Sequence, residues 1–258
     1  MFRVMVDSPL GPSLKLILGR IENAVQRRPP EFGSFLPQLV AVSKTKPVES
    51  IVEAYKCGQR HFGENYVQEI VQKGSNPEIS NLQDIKWHFI GHLQRNKCNN
   101  LTAVPNLHMV QTVDTPKLAT ALSNSWEKQN KPNRLKVMIQ VNTSGEENKS
   151  GCPPGNSVEL VSHIIDKCPG LEFSGIMTIG ALARSVQHAP GERNEDFELL
   201  LACRRDICER LGLDVENVQL SMGMSSDYEH AIEMGSTHVR IGSSIFGARN
   251  KPSKEGGK

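Results

Sequence analysis

Two cationic side chains and two short Gly/Ser turns carry the chemistry open to this sequence. Lys44 ends the apolar run Leu39-Val40-Ala41-Val42-Ser43-Lys44 and is followed by Thr45-Lys46-Pro47. The run reads as a buried strand, and Pro47 suits the first turn of a following helix. With alternation of period two, Val40, Val42 and Lys44 share one face, so an inward face carries the ammonium to the rim of a core. Partial desolvation there lowers a lysine's pKa and readies its amine to form a Schiff base with an aldehyde. The plain alternative is a surface lysine flanking a strand, because lysine is usually exposed. Arg240 precedes the turn Gly242-Ser243-Ser244, and Gly223-Met224-Ser225-Ser226 is a second turn of the same kind. Backbone N–H groups and hydroxyls in such turns can surround an anion, although either turn alone reads equally as a plain loop. One amine, one guanidinium and two such turns suit an aldehyde that carries a phosphate.

Other constellations fare less well. His88 and His92 have the spacing that chelates zinc on a helix, but His88 falls in a strand pattern. Four residues of strand separate side chains by about 13 Å, too far to share an ion bonded at about 2 Å. No metal site is therefore expected, and hydrogen bonding within the mouth of a barrel is the role assigned to His88. Asp227 and Glu229 lie near Ser225, yet no Gly-x-Ser-x-Gly elbow is present, and neither a Walker loop nor a Gly-x-Gly-x-x-Gly after a strand occurs. The cysteines at 57, 98, 152, 168, 203 and 208 form no Cys-x-x-Cys pair and read as reduced thiols.

The elements that must position these residues alternate regularly. Strand patterns fall at 39–44, 61–64, 86–91, 108–113, 135–142, 171–178, 218–223 and 238–241. Helical patterns fall at 48–55, 116–129, 158–168, 196–211 and 228–234, after a leading helix at about 13–28. Thr115-Pro116 marks a helix start, while Gly58, Gly170, Gly212 and Gly235 mark stops. Strands each followed by a helix argue for parallel pairing, and closure into a single (β/α)8 TIM-type barrel with an additional N-terminal helix is the economical solution. An open doubly wound sheet is the alternative. One domain over 1–258 is expected, with a core at about 36–248, frayed ends at 1–12 and 250–258, and a long loop at 183–194. In such a barrel the carboxyl ends of the strands gather Lys44, Asn65, His88, Thr178, Ser225, Arg240, Gly242 and Ser243.

Composition narrows the partners. A net charge of +2 from 30 basic and 28 acidic residues gives no large field, and no Lys/Arg block is interleaved with aromatics. Nucleic acid is an unexpected partner on those grounds. No apolar run reaches the length of a membrane span, and the first dozen residues lack the basic start and apolar stretch of a signal peptide. A cytoplasmic protein without membrane attachment is expected, and no long exposed apolar pattern demands a dimer, so a monomer is expected.

Six segments carry a resemblance. They are Leu39-Val40-Ala41-Val42-Ser43-Lys44-Thr45-Lys46-Pro47, Phe62-Gly63-Glu64-Asn65-Tyr66, Trp87-His88-Phe89-Ile90-Gly91-His92, Gly175-Ile176-Met177-Thr178, Leu220-Ser221-Met222-Gly223-Met224-Ser225-Ser226-Asp227 and Val239-Arg240-Ile241-Gly242-Ser243-Ser244-Ile245-Phe246-Gly247. In this order they resemble the pyridoxal phosphate homeostasis protein family. The resemblance implies a fold type III barrel similar to the amino-terminal domain of alanine racemase, with pyridoxal 5′-phosphate (PLP) on a lysine at the end of the first strand. It makes Lys44 that lysine in preference to Lys46, which lies beyond the strand. It places Arg240 beside the pyridine nitrogen, gives the phosphate to Ser225 with Gly242 and Ser243, and sets Asn65 and His88 near the ring.

A guanidinium beside the pyridine nitrogen disfavours ring protonation and makes the cofactor a weak electron sink. Eleven residues follow Gly247, which leaves no room for the β-domain that supplies alanine racemase with a catalytic tyrosine. Tyr55, Tyr66 and Tyr228 do not fall in a comparable place, so a second general base is not expected. The resemblance therefore implies a protein that holds PLP and delivers it, with apo PLP-dependent enzymes as recipients. A racemase-like enzyme using His88 or a cysteine as base is the alternative, and a protein whose bound PLP only reports vitamin status is another.

Overall fold

Alternation along the strands sorts their side chains into two cores. Leu39 and Ala41 of the first strand face outward and pack with Phe62, Trp87, Phe89, Val110, Val137, Ile139, Leu220 and Val239 beneath the helices. The inner face is thinly apolar, its separate cluster being Met109, Met138 and Met177. That sparseness leaves the barrel interior to polar side chains, which is where the chemistry sits.

The computed structural model describes residues 8–146, 148–181, 183–184 and 193–248. Eight parallel strands close a barrel in chain order. They are β1 (Gln38–Val42), β2 (His61–Glu64), β3 (Lys86–Phe89), β4 (Leu107–Val113), β5 (Leu135–Gln140), β6 (Leu171–Met177), β7 (Gln219–Met224) and β8 (His238–Ile241). The closing pair β1–β8 aligns Gln38 with His238 and Val40 with Arg240. Parallel neighbours require crossovers, and these are α2 (Val48–Lys56), α3 (Val67–Gly74), α4 (Pro77–Ser80), α5 (Cys98–Thr102), α6 (Pro116–Glu127), α7 (Ser157–Lys167), α8 (Glu195–Leu211) and α9 (Tyr228–Glu233). A short α10 (Ser243–Phe246) follows β8. The N-terminal α1 (Gly11–Arg27) buries Leu14, Ile17, Ile21 and Ala24 at helical spacing, and Arg27 pairs with Glu229 and Glu233 of α9.

The expected barrel, its leading helix and all eight strands are observed, with three corrections. The first strand ends at Val42, not at Lys44, because the ladder to β2 stops where the Ser43 N–H meets the Gly63 carbonyl and the chain then turns. The start expected to fray is anchored from residue 8, where Ser8 Oγ and the Leu10 N–H both donate to Glu53. The expected loop at 183–194 holds helical residues at 183–184. The rest of that loop at 185–192, the frayed end at 250–258 and residues 1–7 lie outside the described residues. All six cysteines are free and buried. Among the described residues no helix is long and apolar enough to cross a membrane.

Candidate functional site

Lys44 occupies the second position of a turn closed by the Lys46 N–H donating to the Ser43 carbonyl at 3.0 Å. Thr45, the third residue, has φ of 62°. A β-branched residue holds that left-handed conformation only where its surroundings impose it, and such strain gathers at functional positions. The imposing groups form one buried ionic cluster. Glu69 Oε1 accepts from the Thr45 N–H at 2.6 Å, and Ser43 Oγ donates to Glu64 Oε1 at 2.6 Å. Lys73 Nζ donates to Ser43 O at 2.8 Å, Glu64 Oε1 at 2.7 Å and Glu69 Oε1 at 2.6 Å. Burial pushes the Glu64 carboxyl up, against the opposing pull of Lys73 and Ser43. Both neighbours of the half-buried Lys44 are thereby fixed. Lys46 is engaged elsewhere, its ammonium donating to the carbonyls of Phe246, Gly247 and Ala248 at 2.8, 3.1 and 2.9 Å.

Arg240 is 4% exposed and points up the barrel from β8. Its Nη2 donates to the Thr178 carbonyl at 2.7 Å and its Nη1 to Ser221 Oγ at 2.6 Å. A guanidinium can only donate, so Ser221 Oγ accepts from it and keeps its own proton for the next bond, and the placing of the Gln111 amide sets the rest. The Ser221 hydroxyl donates to Gln111 Oε1 at 2.7 Å, Gln111 Nε2 donates to His88 Nδ1 at 3.0 Å, and His88 Nε2 donates to His61 Nδ1 at 2.8 Å. Burial lowers the Arg240 pKa to about 10, with Asp227 partly opposing, so the charge persists at neutral pH. Burial first, with a neighbouring imidazole second at His61, His88 and His238 and Lys86 second at His108, holds His61 and His238 at about 3 and His108 at about 4, and drives His88 well below its ordinary value. These imidazoles are neutral at pH 7.

The two Gly/Ser turns meet. Gly242 N–H donates to Ser225 Oγ at 3.4 Å, and Asp227 Oδ1 fixes the Ser225 turn by accepting from the Met224 N–H at 2.7 Å. Gly223 has φ of 93°, and a Cβ there would stand 2.6 Å from Ala231 Cβ, so only glycine lets this turn close on α9. A Cβ on Gly242 would stand 3.2 Å from the Val42 carbonyl, which puts this turn against the end of β1 and the start of the Lys44 turn. Ser243 is exposed at the first position of α10, where backbone N–H groups have no intrahelical partner. Asn65 lines a cleft of about 300 Å³ with Ile90, His92, Asn142, Thr143 and Thr178, and its buried Oδ1 has no partner among the described residues.

The structure thus gathers Lys44, Asn65, Ser225, Arg240, Gly242 and Ser243 at one barrel mouth. His88 is not among them. It is fully buried, both ring nitrogens are taken by His61 and Gln111, and its hydrogen-bonded link to the mouth runs through Gln111 and Ser221. His92 lies apart from it at the rim, 3.1 Å from Ser150 Oγ and 3.7 Å from Asp114. The sequence reading missed Lys73, Glu69 and Gln111. Lys73 carried no signal, since one lysine in an amphipathic helix reads as a solvated charge. Gln111 could have been suspected, as an uncharged polar residue inside an otherwise apolar strand pattern.

A family model described as alanine racemase, N-terminal domain, matches residues 24–250. The chain is 52% identical over 246 residues to the pyridoxal phosphate homeostasis protein of Homo sapiens, covering 95% of this chain and 88% of that one. It is 48% identical over 217 residues to the protein of the same name from Schizosaccharomyces pombe, covering 83% and 86%. Among solved structures, PipY of Synechococcus elongatus with PLP bound superposes with a TM-score of 0.70 at 30% identity, covering 90% of this chain and all of that one. An alanine racemase of Clostridium difficile superposes with a TM-score of 0.65 at 14% identity, which speaks to the fold alone, and this chain spans 58% of its length. Identity of about half over most of the sequence, on the same barrel, places this chain in the pyridoxal phosphate homeostasis protein family.

Proposed function

We propose that this chain binds PLP at the barrel mouth, holds it covalently on Lys44 and releases it to acceptors, without substantial turnover of an amino acid. The strained turn clamped on both sides of Lys44 is the observation that carries this reading. The donor set fits a phosphorylated pyridine aldehyde. An amine stands beside joined turns rich in N–H and hydroxyl donors, a fixed guanidinium lies below, and the orphaned Asn65 acceptor lines the adjoining cleft. When bound, PLP supplies an aldehyde that condenses with the Lys44 amine, forming a C=N bond and releasing water. The committed contacts of Lys46 support Lys44 over its neighbour. Arg240 keeps its charge, so a nitrogen placed against it stays unprotonated.

The racemase-like alternative needs a base, and the surroundings of its candidates weigh against them. His88 already accepts a hydrogen bond at Nδ1 and directs its other N–H into His61. Burial raises the thiols of Cys98 to about 11 and Cys152 to about 12, far above the range of a base working at neutral pH. Borohydride reduction of the loaded protein, followed by intact mass and peptide mapping, tests the reading. One adduct on Lys44 is expected. An adduct elsewhere, or undiminished PLP retention in Lys44→Ala, overturns the lysine assignment, and rapid exchange of an amino acid's α-proton overturns the non-catalytic reading. Faster reactivation of an apo PLP enzyme by the loaded protein than by free PLP is the result expected for delivery.

A further inference from the structure

The base of the barrel holds a second cluster, joined to the mouth by the Gln111 chain. His61 opens β2, His88 lies in β3, and His108 lies in β4. The β3–β4 register slips between the pairs Trp87–Leu107 and His88–Met109, so His108 is the extra residue of a bulge. A bulge re-aims the side chain it carries, and here it brings His108 beside its neighbours on the inner face. The rings of His61, His88 and His108 lie 5.1 to 5.4 Å apart, centroid to centroid. One nitrogen from each lies within 4.8 Å of the other two. His61 and His108 are half-buried, and His108 also lines a depression at the base with Lys136 and Glu172, which gives a route from solvent.

We propose that His61, His88 and His108 bind one transition-metal ion of the zinc, copper or nickel class. Three nitrogens on a tetrahedral ion at about 2.05 Å stand roughly 3.3 Å apart, so side-chain rotation over about 1 Å closes the cluster. The donor set selects the metal. Three imidazoles without a carboxylate suit borderline ions, whereas magnesium and calcium require anionic oxygen. Lys86 and Lys136 lie close enough to repel the cluster's charge, which further disfavours ions held by charge alone. The fourth position opens toward the depression.

Loading has a defined consequence. His88 Nε2 must give its lone pair to the ion, so its proton moves to Nδ1 and no net proton is released. Nδ1–H then needs an acceptor, which Gln111 provides by turning its amide over, presenting Oε1 to His88 and Nε2 to Ser221 Oγ. Gln111 thereby becomes the outer partner that orients a metal-bound histidine.

The test uses reduced, PLP-free protein titrated with Co²⁺ and then Zn²⁺. One saturating equivalent of cobalt is expected, with the visible d–d absorption of nitrogen ligation, no thiolate charge-transfer band, and displacement by one equivalent of zinc. His61→Phe and His108→Phe should each weaken binding at least tenfold, while His92→Ala at the opposite rim leaves it unchanged. Circular dichroism confirms folding, and the half-buried His108 provides the second variant should His61→Phe misfold. Absence of saturable binding, a thiolate band, or unchanged affinity in a folded His61 or His108 variant overturns the proposal.

Discussion

The Lys73 ammonium donates to the Ser43 carbonyl at 2.8 Å, so a buried cation on α3 fixes the residue immediately before Lys44. The same ammonium pairs with both Glu64 and Glu69, which hold the Ser43 hydroxyl and the Thr45 N–H. Lys73→Met leaves the Glu64 carboxylate buried without its counter-charge. Removing one partner of a buried pair costs about 3–5 kcal/mol, so urea unfolding should show a loss of that order. The turn should loosen as well, lowering the yield of the Lys44 adduct although Lys44 itself is intact. An unchanged urea midpoint would show that the cluster does not fix the turn.

Lys44 and Lys46 separate by function. Lys44 is half-buried, and substituting it by alanine should change stability by less than about 1 kcal/mol while abolishing the borohydride-fixed adduct. Lys46→Ala frees three carbonyls at the end of α10 and should speed amide exchange in residues 243–248, with the adduct retained. Mass mapping and hydrogen exchange on both variants read the two effects independently. Loss of the adduct in Lys46→Ala alone would reverse the assignment.

Arg240 biases the proton on His88 from three hydrogen bonds away. With Arg240 as an obligate donor, the chain through Ser221 and Gln111 leaves His88 Nδ1 bare and Nε2 protonated. Nitrogen chemical shifts of labelled histidine should show that single tautomer in metal-free protein. In Arg240→Gln the new amide can accept from Ser221 as well as donate to it, so the Ser221 proton leaves Gln111 more readily, the turned-over Gln111 amide becomes populated without metal, and mixed His88 tautomers are expected. A protonated Nδ1 in the native protein would break the polarised chain.

Much of this arrangement is legible in the sequence, and the illegible part has a physical reason. Strands were readable because the outward residues of each are apolar and bounded by turn residues, as in Leu39 to Val42. Residues that act at the ends of strands, such as Lys44, Ser225 and Gly242, were readable because the barrel topology gathers those ends. Short helices such as α5 and α10 contain too few residues to display a period. The clamp and the histidine cluster escaped because they depend on lateral neighbours: Lys73 is chemically apt only beside Glu64, and His108 turns inward only through a one-residue register slip. The pair His88 and His92 drew attention through spacing along the chain, whereas the partner that matters to His88 is His61 on the next strand.

The buried thiols make an alkaline prediction. Burial raises Cys98 to about 11 and Cys152 to about 12, from an ordinary thiol value of 9.0. The unfolded chain therefore loses these protons first as pH rises, and the stability they contribute is complete below pH 9 and is lost as pH climbs through their folded values. At pH 10, one unit above the unfolded pKa, Cys152 alone should cost on the order of 1 kcal/mol. Urea midpoints of native protein and Cys152→Ala, compared at pH 8 and pH 10, isolate that share, because lysines and tyrosines titrate equally in both. Alkylation gives the companion reading. At pH 8 both thiols should react only as fast as the chain opens, so rapid labelling of Cys152 in folded protein would return it to the list of candidate bases near the mouth.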